Sequence, residues 1–268
     1  MKGRVANALS IAGSDPSGGA GVQADLKTFG ALGCYGMAAI TALTAQNTRG
    51  VTAIHTPPPE FVLAEVDAVF ADVRVDAVKV GMLGNAAIAT GLAARLARRS
   101  GIPIVLDPVL VATSGDALAE EGVVEAILAE LMPLATIITP NIDETARLTG
   151  DAPPRTIDEM CRAGVTLLAK GAKAALVKGG HLSGETSADV LLANDAVHIF
   201  ESPRIATRNT HGTGCTLSSA IAAFLAQGFS LEEAVRRAKD YVTEALRGSD
   251  RLDVGAGHGP LNHFARYL

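Results

Sequence analysis

Short, largely apolar segments alternate with longer segments of helical periodicity along this chain of 268 residues. A segment such as Ile104-Val105-Leu106 has no polar face, which is typical of a parallel strand that is buried on both sides. Strands of this kind, separated by helices, favour an α/β fold in which helices cover both faces of a central sheet. The predicted strands are residues 7–12, 37–45, 77–80, 102–106, 136–139 and 174–177. The predicted helices are residues 20–32, 60–71, 86–99, 121–131, 156–169, 213–226 and 231–246.

The composition excludes several classes of protein. Lys and Arg number 23 against 28 Asp and Glu, for a net charge of −5, and without a basic cluster there is no positive face for nucleic acid. No apolar stretch reaches the roughly 18 residues that a membrane-spanning helix needs. Three widely spaced cysteines, and an N-terminal apolar run that ends in a turn sequence, predict a cytoplasmic protein. No linker or repeat divides the chain, so residues 1–268 are predicted to form one domain.

Most of the unusual polar and glycine residues follow directly after a predicted strand. They include Gln46, Gly81-Met82, Asp107, Asn141 and Lys178. In an open α/β sheet, ligands bind at the carboxyl ends of the strands. The sequence therefore predicts a small-molecule site at this edge of the sheet.

A glycine-rich loop, Gly13 to Gly21, lies between the first strand and the first helix, where backbone N–H groups can bind an anion. It is not a P-loop, because Gly19 and Ala20 stand where that motif needs Lys and Ser or Thr. A dinucleotide site is disfavoured, since no acid lies between Asp25 and Glu60 to bind the ribose. A turn without a ligand is the alternative.

A second glycine-rich segment, Thr210-His211-Gly212-Thr213-Gly214-Cys215, leads directly into a predicted helix. Backbone N–H groups at a helix N-terminus, together with the helix dipole, stabilise an oxyanion or a transferring phosphoryl group. The same position lowers the pKa of a cysteine, which makes Cys215 a candidate base for a substrate hydroxyl, or a group that orients it. A glycine N-cap followed by a buried cysteine explains the pattern equally well.

Charged residues near the same edge could bind phosphate and metal. Asp107 could face Mg²⁺ or a phosphate through water, and Glu144 is a second acid, three residues after Asn141. Asn followed three residues later by Glu is also the pattern of a capping box, and the two roles are compatible. Lys178, before two glycines, could bind a phosphate or be a solvated turn residue.

Two uncharged residues could recognise a flat heterocycle. Gln46 can donate one hydrogen bond and accept another, which a carboxylate cannot do. Met82 could flank such a ring with a polarisable surface. Packing is the alternative for both. No zinc site is predicted, since His181 and the other histidines have no metal-ligand spacing.

Together these residues resemble those of the hydroxymethylpyrimidine/phosphomethylpyrimidine kinases of thiamine biosynthesis. The resemblance covers the chain from near residue 7 to the glycine-rich tail that ends at Pro260. The segments that carry it are Ala12 to Lys27, Ile40 to Thr48, Lys79 to Leu83, Asp107-Pro108-Val109, Ser114-Gly115-Asp116, Ile138 to Asn141, Val177 to His181, Asn209 to Thr216 and Gly255 to Pro260.

The resemblance implies a ribokinase-like three-layer fold with a mostly parallel central sheet and helices on both faces. It also implies transfer of the γ-phosphoryl group of ATP, with Mg²⁺, to the hydroxymethyl group of 4-amino-5-hydroxymethyl-2-methylpyrimidine. A second transfer would then convert the resulting monophosphate to the diphosphate. We also expect a homodimer, because an apolar chain of low charge with this fold often pairs.

The resemblance assigns roles to individual residues. Gln46 would bind the aminopyrimidine in a pocket lined by Gly13, Asp25, Met82 and Val109. Gly212, Thr213, Gly214 and Cys215 would form the anion hole, with Cys215 where many ribokinase-like sugar kinases have an aspartate base. Asp107, Asn141 and Glu144 would organise Mg²⁺ and phosphate, and Lys178 and Thr210 would bind ATP. The tail glycines receive no role.

Other functions are weighed against this one. A pyridoxal kinase would use the same scaffold to phosphorylate a hydroxymethyl group on a pyridine, although Gln46 after Thr44-Ala45 favours the aminopyrimidine. A catalytically silent nucleotide- or pyrimidine-binding regulator would have little use for Asp107, Glu144 and Lys178. An NAD-dependent oxidoreductase fails on the missing ribose acid.

Overall fold

A nine-stranded sheet forms the centre of the computed structural model, which describes residues 3–110, 122–180, 182 and 184–267. The strands are β1 (Asn7–Ser14), β2 (Tyr35–Asn47), β3 (Gly50–His55), β4 (Ala77–Val80), β5 (Ile104–Leu106), β6 (Ile137–Ile138), β7 (Ala174–Lys178), β8 (Thr186–Ala193) and β9 (Ala196–Pro203). Their order across the sheet is β3-β2-β1-β4-β5-β6-β7-β8-β9. Each of the six strands that the apolar segments predict is present.

The middle of the sheet is parallel and its two edges are antiparallel. Strands β2, β1, β4, β5, β6 and β7 form consecutive parallel pairs. Strand β3 is antiparallel to β2, and β8 and β9 continue the other edge as antiparallel strands. Strands β4 and β5 are buried along their whole length; the sequence of β5 is apolar throughout, and that of β4 is apolar except for Lys79. The carboxyl ends of the parallel strands therefore lie at one edge.

Helices cover both faces of the sheet. They are α1 (Gly21–Ala31), α2 (Pro59–Asp72), α3 (Ala86–Leu96), α4 (Val123–Ala126), α5 (Ile142–Thr149), α6 (Ile157–Ala169), α7 (Thr213–Ala226) and α8 (Leu231–Arg247). Side chains of α2 to α6 share one apolar core with Leu9 and Val78 of the sheet. Side chains of α1, α7 and α8 share a second core with Ala8 and Ala77, which point to the opposite face. This three-layer arrangement confirms the predicted α/β fold.

One predicted helix begins later and ends differently. The helix predicted over residues 121–131 begins at Val123 and continues from Ile127 to Leu131 as a π-helical segment. Glu121 lies outside the described residues, as do Ser114-Gly115-Asp116 and His181. Within the described part of the chain, no helix is both long enough and apolar enough to cross a bilayer.

Four elements were not predicted: β3, β8, β9 and α5. Strands β3 and β9 lie largely at the surface, so their sequences are not continuously apolar. Strands β8 and β9 form a hairpin whose turn residues, Asn194 and Asp195, have φ angles of 50° and 61°. Asn and Asp are favoured in such turns, so the pair was a usable signal. Helix α5 has only 8 residues, too few for a clear helical period.

Candidate active site

A cavity of about 350 Å³ opens at the carboxyl edge of the sheet. It is lined by every candidate residue of the sequence analysis except Asp25. These lining residues are Gly13, Gln46, Met82, Asp107, Val109, Asn141, Glu144, Lys178, Thr210, Gly212, Thr213, Gly214 and Cys215. The fold thus brings into one cavity the side chains of motifs that are far apart in the sequence.

The expectation that Asp25 lines the pocket is corrected by the structure. Its side chain is wholly buried in α1 and pairs with Nζ of Lys79 at 2.9 Å. The hydroxyls of Ser10 and Ser219 each donate a hydrogen bond of 2.6 Å to the same carboxylate. Lys79, which has no role in the sequence analysis, lines the cavity instead.

Lys79 places a fixed positive charge beside the cavity. Burial would lower the pKa of this ammonium, but the Asp25 carboxylate, with Cys215 and Asp107, raises it above its ordinary value. Lys79 therefore stays protonated. Gly81 leaves room for it, because a Cβ at that position would lie 2.7 Å from the Lys79 Nζ.

Helix α7 begins at the cavity, after a glycine in the left-handed region. Gly212 has a φ of 80°, and a Cβ there would lie 1.9 Å from the carbonyl oxygen of Gly19. N–H groups in the first turn of a helix have no acceptor within the helix. Gly214 and Cys215, in that first turn, line the cavity. The arrangement is suited to binding an anion.

The expected low pKa of Cys215 is wrong. Burial raises the pKa of its thiol to about 11. The Lys79 ammonium and a hydrogen bond from the Gly21 backbone oppose the rise, whereas the Asp25 and Asp107 carboxylates add to it. At neutral pH Cys215 is therefore a thiol and not a thiolate, in spite of the helix N-terminus.

A cluster of one lysine and two carboxylates lies beside the start of α7. Nζ of Lys178 is 2.8 Å from Oδ1 of Asp107 and 3.9 Å from Oε2 of Glu144. The hydroxyls of Thr139 and Ser218 also donate to Asp107, at 3.0 and 3.1 Å. Because the Lys178 side chain is only 11% exposed, the alternative of a solvated turn residue is wrong.

The three charged groups of this cluster titrate differently. Burial would raise the pKa of Asp107, but Lys178 and Lys79 hold it below its ordinary value. Burial raises the pKa of Glu144 to about 7, against the effect of Lys178 and with a contribution from Asp107. Burial would lower the pKa of Lys178, but both carboxylates raise it. Asp107 and Lys178 are therefore charged, while Glu144 is partly protonated at neutral pH.

Asn141 and Glu144 also form the capping box that their spacing suggested. The Asn141 side chain accepts a hydrogen bond of 2.9 Å from the Glu144 N–H, and Oε2 of Glu144 accepts one of 2.7 Å from the Asn141 N–H. Oε2 of Glu144 faces Lys178 as well, so capping and a place in the charged cluster coexist.

Two buried residues that sequence reasoning missed, Asp15 and His211, hold the two glycine-rich loops together. Nε2 of His211 lies 2.8 Å from Oδ2 of Asp15 and 3.4 Å from Nε2 of Gln46. Asp15 also accepts N–H bonds from Ser17 at 2.9 Å and Ala20 at 2.8 Å. Burial would raise the pKa of Asp15, but hydrogen bonds from His211 and Ser17 bring it below its ordinary value. The only sequence signal for either residue was its place inside a loop motif.

The end of the cavity nearest β8 has an apolar wall. Its residues are Ile205, Leu217, Val242 and Leu246. Nζ of Lys239 on α8 is 2.7 Å from Oδ2 of Asp189 on β8, which joins the helix to the sheet, and both residues also line the cavity. Sequence reasoning missed the wall because Leu217, Val242 and Leu246 belong to helices α7 and α8, where apolar residues give no sign that they face a cavity.

Comparison with known proteins gives a consistent result. The model of the family described as phosphomethylpyrimidine kinase matches residues 15–262. The hydroxymethylpyrimidine/phosphomethylpyrimidine kinase of Rhizobium meliloti is 53% identical, over 97% of each chain. The thiamine biosynthesis bifunctional protein ThiED of Geobacter sulfurreducens is 51% identical, over 95% of this chain and 51% of its own length.

A solved structure shares the fold. The pyridoxal kinase from Staphylococcus aureus in complex with AMP-PCP and pyridoxal superposes with a TM-score of 0.89, over 98% of this chain and 95% of that chain, at 32% identity. The ribokinase-like fold implied by the resemblance is confirmed.

The Lys79–Asp25 pair leads to a prediction about stability. Lys79→Met leaves the Asp25 carboxylate buried without a cation, which is expected to lower the free energy of unfolding by about 3–5 kcal/mol. The double variant Lys79→Met/Asp25→Asn removes the unpaired charge and should recover part of the loss. Urea denaturation measures the free energy of unfolding of the wild type, the single variant and the double variant. Lys170→Met, at an exposed lysine, is the matched control. A double variant no more stable than Lys79→Met contradicts the pairing argument.

The ionisation of Cys215 can be measured directly. Because only the thiolate reacts, the rate of alkylation of Cys215 by iodoacetamide is expected to keep rising above pH 9, towards the pKa of about 11. Mass spectrometry of the Cys215 peptide gives the rate at each pH, with the urea-unfolded chain as the control. A rate that levels off below about pH 8 would show a thiolate at neutral pH, contrary to this prediction.

Proposed function

The chain belongs to the phosphomethylpyrimidine kinase family, and we propose that the cavity at the carboxyl edge of its sheet is where its two phosphorylations take place. The enzyme phosphorylates 4-amino-5-hydroxymethyl-2-methylpyrimidine and then the monophosphate, in thiamine biosynthesis. It uses ATP as the phosphoryl donor. The roles of individual residues below are proposals that rest on the geometry of the cavity.

One observation carries the assignment of the site. Gln46 and Met82, which can bind a heterocycle, line the same cavity as a helix N-terminus and a lysine–carboxylate cluster. A Cβ on Gly214 would lie 3.2 Å from Nζ of Lys178, so the helix N-terminus and the cluster are in contact. A phosphoryl group transferred between two bound substrates needs such donors on its path.

The pyrimidine is proposed to bind between Gln46 and Met82. The amide of Gln46 can both donate to and accept from the aminopyrimidine edge. Gly13 keeps the slot open, because a Cβ there would lie 2.9 Å from Sδ of Met82. Val109, also in the lining, adds an apolar surface for the ring.

Phosphoryl transfer joins the substrate oxygen to the γ-phosphorus while the bond between that phosphorus and the β–γ bridging oxygen breaks. Lys178 and the N–H groups of Gly214 and Cys215 would stabilise the charge on the transferring group. Cys215, as a thiol, would orient the attacking oxygen and not act as a resting base. This suffices, because phosphoryl transfer depends mainly on positioning and charge stabilisation, and the hydroxyl proton can pass late to an oxygen of the transferred phosphoryl group. Thr210 and Asn141 are proposed to border the nucleotide.

Asp107 and Glu144 fit a role in binding Mg²⁺. Among the described residues, no group of three or more His, Cys, Asp or Glu side chains could hold a metal alone. Two carboxylates suit Mg²⁺, which usually keeps several waters and shares its coordination with substrate phosphates. When bound, the ion would neutralise charge on the phosphates of ATP.

Three further expectations remain proposals. Residues 1–268 would form one kinase domain, and the enzyme would act in the cytoplasm. It would also form a homodimer, which is supported by exposed apolar side chains on and beside β2. These are Tyr35, Leu43, Ile54 and Phe61.

A hydroxymethylpyrimidine kinase and a pyridoxal kinase are both compatible with this fold, and they give different products. We expect the purified protein with MgATP to add first one and then a second phosphate to the hydroxymethylpyrimidine, because both acceptor forms present an oxygen to the same helix N-terminus. Mass spectrometry over time counts the phosphates, with pyridoxal as the parallel substrate. Phosphorylation of pyridoxal alone would favour a pyridoxal kinase. If neither the pyrimidine nor pyridoxal is phosphorylated, the protein would be a catalytically silent binding protein.

Gln46 is expected to discriminate between the substrates. Gln46→Ala should raise the KM for the pyrimidine by about tenfold, the effect of one or two lost hydrogen bonds, and leave the KM for ATP nearly unchanged. Steady-state kinetics measures both values. Gln227→Ala, at the far end of α7, is the matched control. Equal changes in the two KM values would contradict the role of Gln46.

A further inference from the structure

The glycine-rich tail, Gly255 to Pro260, runs between two other segments that leave no room for a side chain at its three glycine positions. A Cβ on Gly255 would lie 2.3 Å from Oγ1 of Thr48, and one on Gly257 would lie 1.9 Å from the carbonyl oxygen of Thr48. A Cβ on Gly259 would lie 2.1 Å from Oδ1 of Asn209. The glycines therefore allow a close approach of the tail to both neighbours.

Hydrogen bonds join the tail to both neighbours. On one side, the N–H of Gly257 donates to Oγ1 of Thr48 at 3.1 Å, and the N–H of His258 donates to the Thr48 carbonyl at 2.9 Å. On the other side, the N–H of His211 donates to the carbonyl of Gly259 at 3.0 Å. The tail thus bridges the turn of the β2–β3 hairpin and the loop before α7.

The chain just beyond the tail is anchored to the helical layer. Leu261 is buried, and the hydroxyl of Tyr241 on α8 donates to the carbonyl of His263 at 2.8 Å. Nε2 of His263 lies 3.1 Å from Oγ1 of Thr216 in the first turn of α7. The tail is therefore attached to α7 and α8, and it can transmit their position to Thr48.

Both neighbours of the tail adjoin groups that the proposed reaction uses. Thr48 is two residues after Gln46, and His211 directly precedes Gly212. The β2–β3 hairpin lies at the edge of the sheet, where β2 is the one described strand that pairs with β3. A hairpin at an edge can bend away more easily than a central strand unless another segment holds it.

We propose that residues 255–260 form a strap that sets the distance between the acceptor-binding hairpin and the anion hole, with Gly257 and Gly259 as positioning residues. The proposal rests on the proposed function, because it concerns the same cavity. The acceptor oxygen must lie within about 3–3.5 Å of the transferring phosphorus, and a misplacement of about 1 Å can cost two orders of magnitude in rate.

The nucleotide-binding side is held by other contacts. Lys178, Asn141 and Glu144 are fixed by the capping box and by ion pairs at the ends of β6 and β7 and the start of α5. None of these contacts involves the strap. A change in the strap should therefore affect the pyrimidine more than ATP.

Gly257→Ala is the sharpest test, because its Cβ would meet backbone atoms, which cannot rotate away. We expect the KM for the pyrimidine to rise about tenfold and kcat to fall, with the KM for ATP changed by less than about twofold. Gly30→Ala is the matched control, since a Cβ on that exposed helical glycine meets nothing within 4 Å. Thr48→Val removes the hydroxyl that accepts a hydrogen bond from the strap and adds no volume. It should raise the KM for the pyrimidine by a smaller factor. This second variant decides the question if Gly257→Ala does not fold.

The outcomes separate the strap from the proposed function. A wild-type protein that does not phosphorylate the pyrimidine would overturn both. If the wild type is active but Gly257→Ala and Thr48→Val have the same KM for the pyrimidine and the same KM for ATP as Gly30→Ala, the strap proposal alone is overturned. Equal rises in the two KM values would also overturn it, because they would indicate general destabilisation.

Hydrogen exchange gives a readout that does not depend on activity. In Gly257→Ala, peptides that contain Thr48 and peptides that contain His211 should lose protection together, although neither contains the substitution. Peptides of α6 should be unchanged. A loss of protection confined to residues 255–260 would overturn the strap.

Discussion

The buried ion pair between Lys79 and Asp25 is the contact on which the cavity depends. Neither side chain is exposed to solvent, and Ser10 and Ser219 complete the hydrogen bonds of the carboxylate. The four residues belong to β4, α1, β1 and α7, so the pair joins the sheet to one helical layer. Separating these elements would leave a charge unpaired in a medium of low dielectric constant, which is strongly unfavourable. Through Ser219, the pair therefore ties α7, the helix that begins at the cavity, to β1 and β4.

Burial also decides how much negative charge the cavity carries. It raises the pKa of Cys215 to about 11 and that of Glu144 to about 7, so both groups are less ionised than in water. Lys79 and Lys178 remain charged because carboxylates lie beside them. Desolvation alone would neutralise the lysines, but the adjacent carboxylates keep them protonated, whereas Cys215 stays neutral. A cavity in this state can accept the negative charge of a nucleotide and a phosphorylated substrate.

The sequence predicted the central elements well and the edges poorly. A strand such as β5, buried on both faces, has a continuous apolar sequence that is easy to recognise. Strand β9 is largely exposed, so no core dictates its residues, and only the turn at Asn194 and Asp195 indicated its hairpin. Most residues proposed for the site line one cavity, and the sequence singled them out because they directly follow strands or lie in the loop before α7. Lys79 lies within a predicted buried strand, where a lysine implies a buried partner. Its role was missed because the sequence does not show which residue that partner is.

The order of the central strands and helices and the edge where a ligand binds were contained in local patterns, and the type of chemistry was implied by the resemblance of the motifs to those of a known family. Apolar periodicity encodes burial, and parallel strands bring their carboxyl ends together whatever their loops. Only the tertiary structure decided three other features. They are the pairing of Asp25 with Lys79, the protonation of Cys215 and the contacts of the glycine-rich tail. Asp25 and Lys79 are 54 residues apart, and Gly257 and Thr48 are 209 residues apart. The distance between such residues and their desolvation both depend on how the chain packs, and a local pattern of residues does not determine that packing.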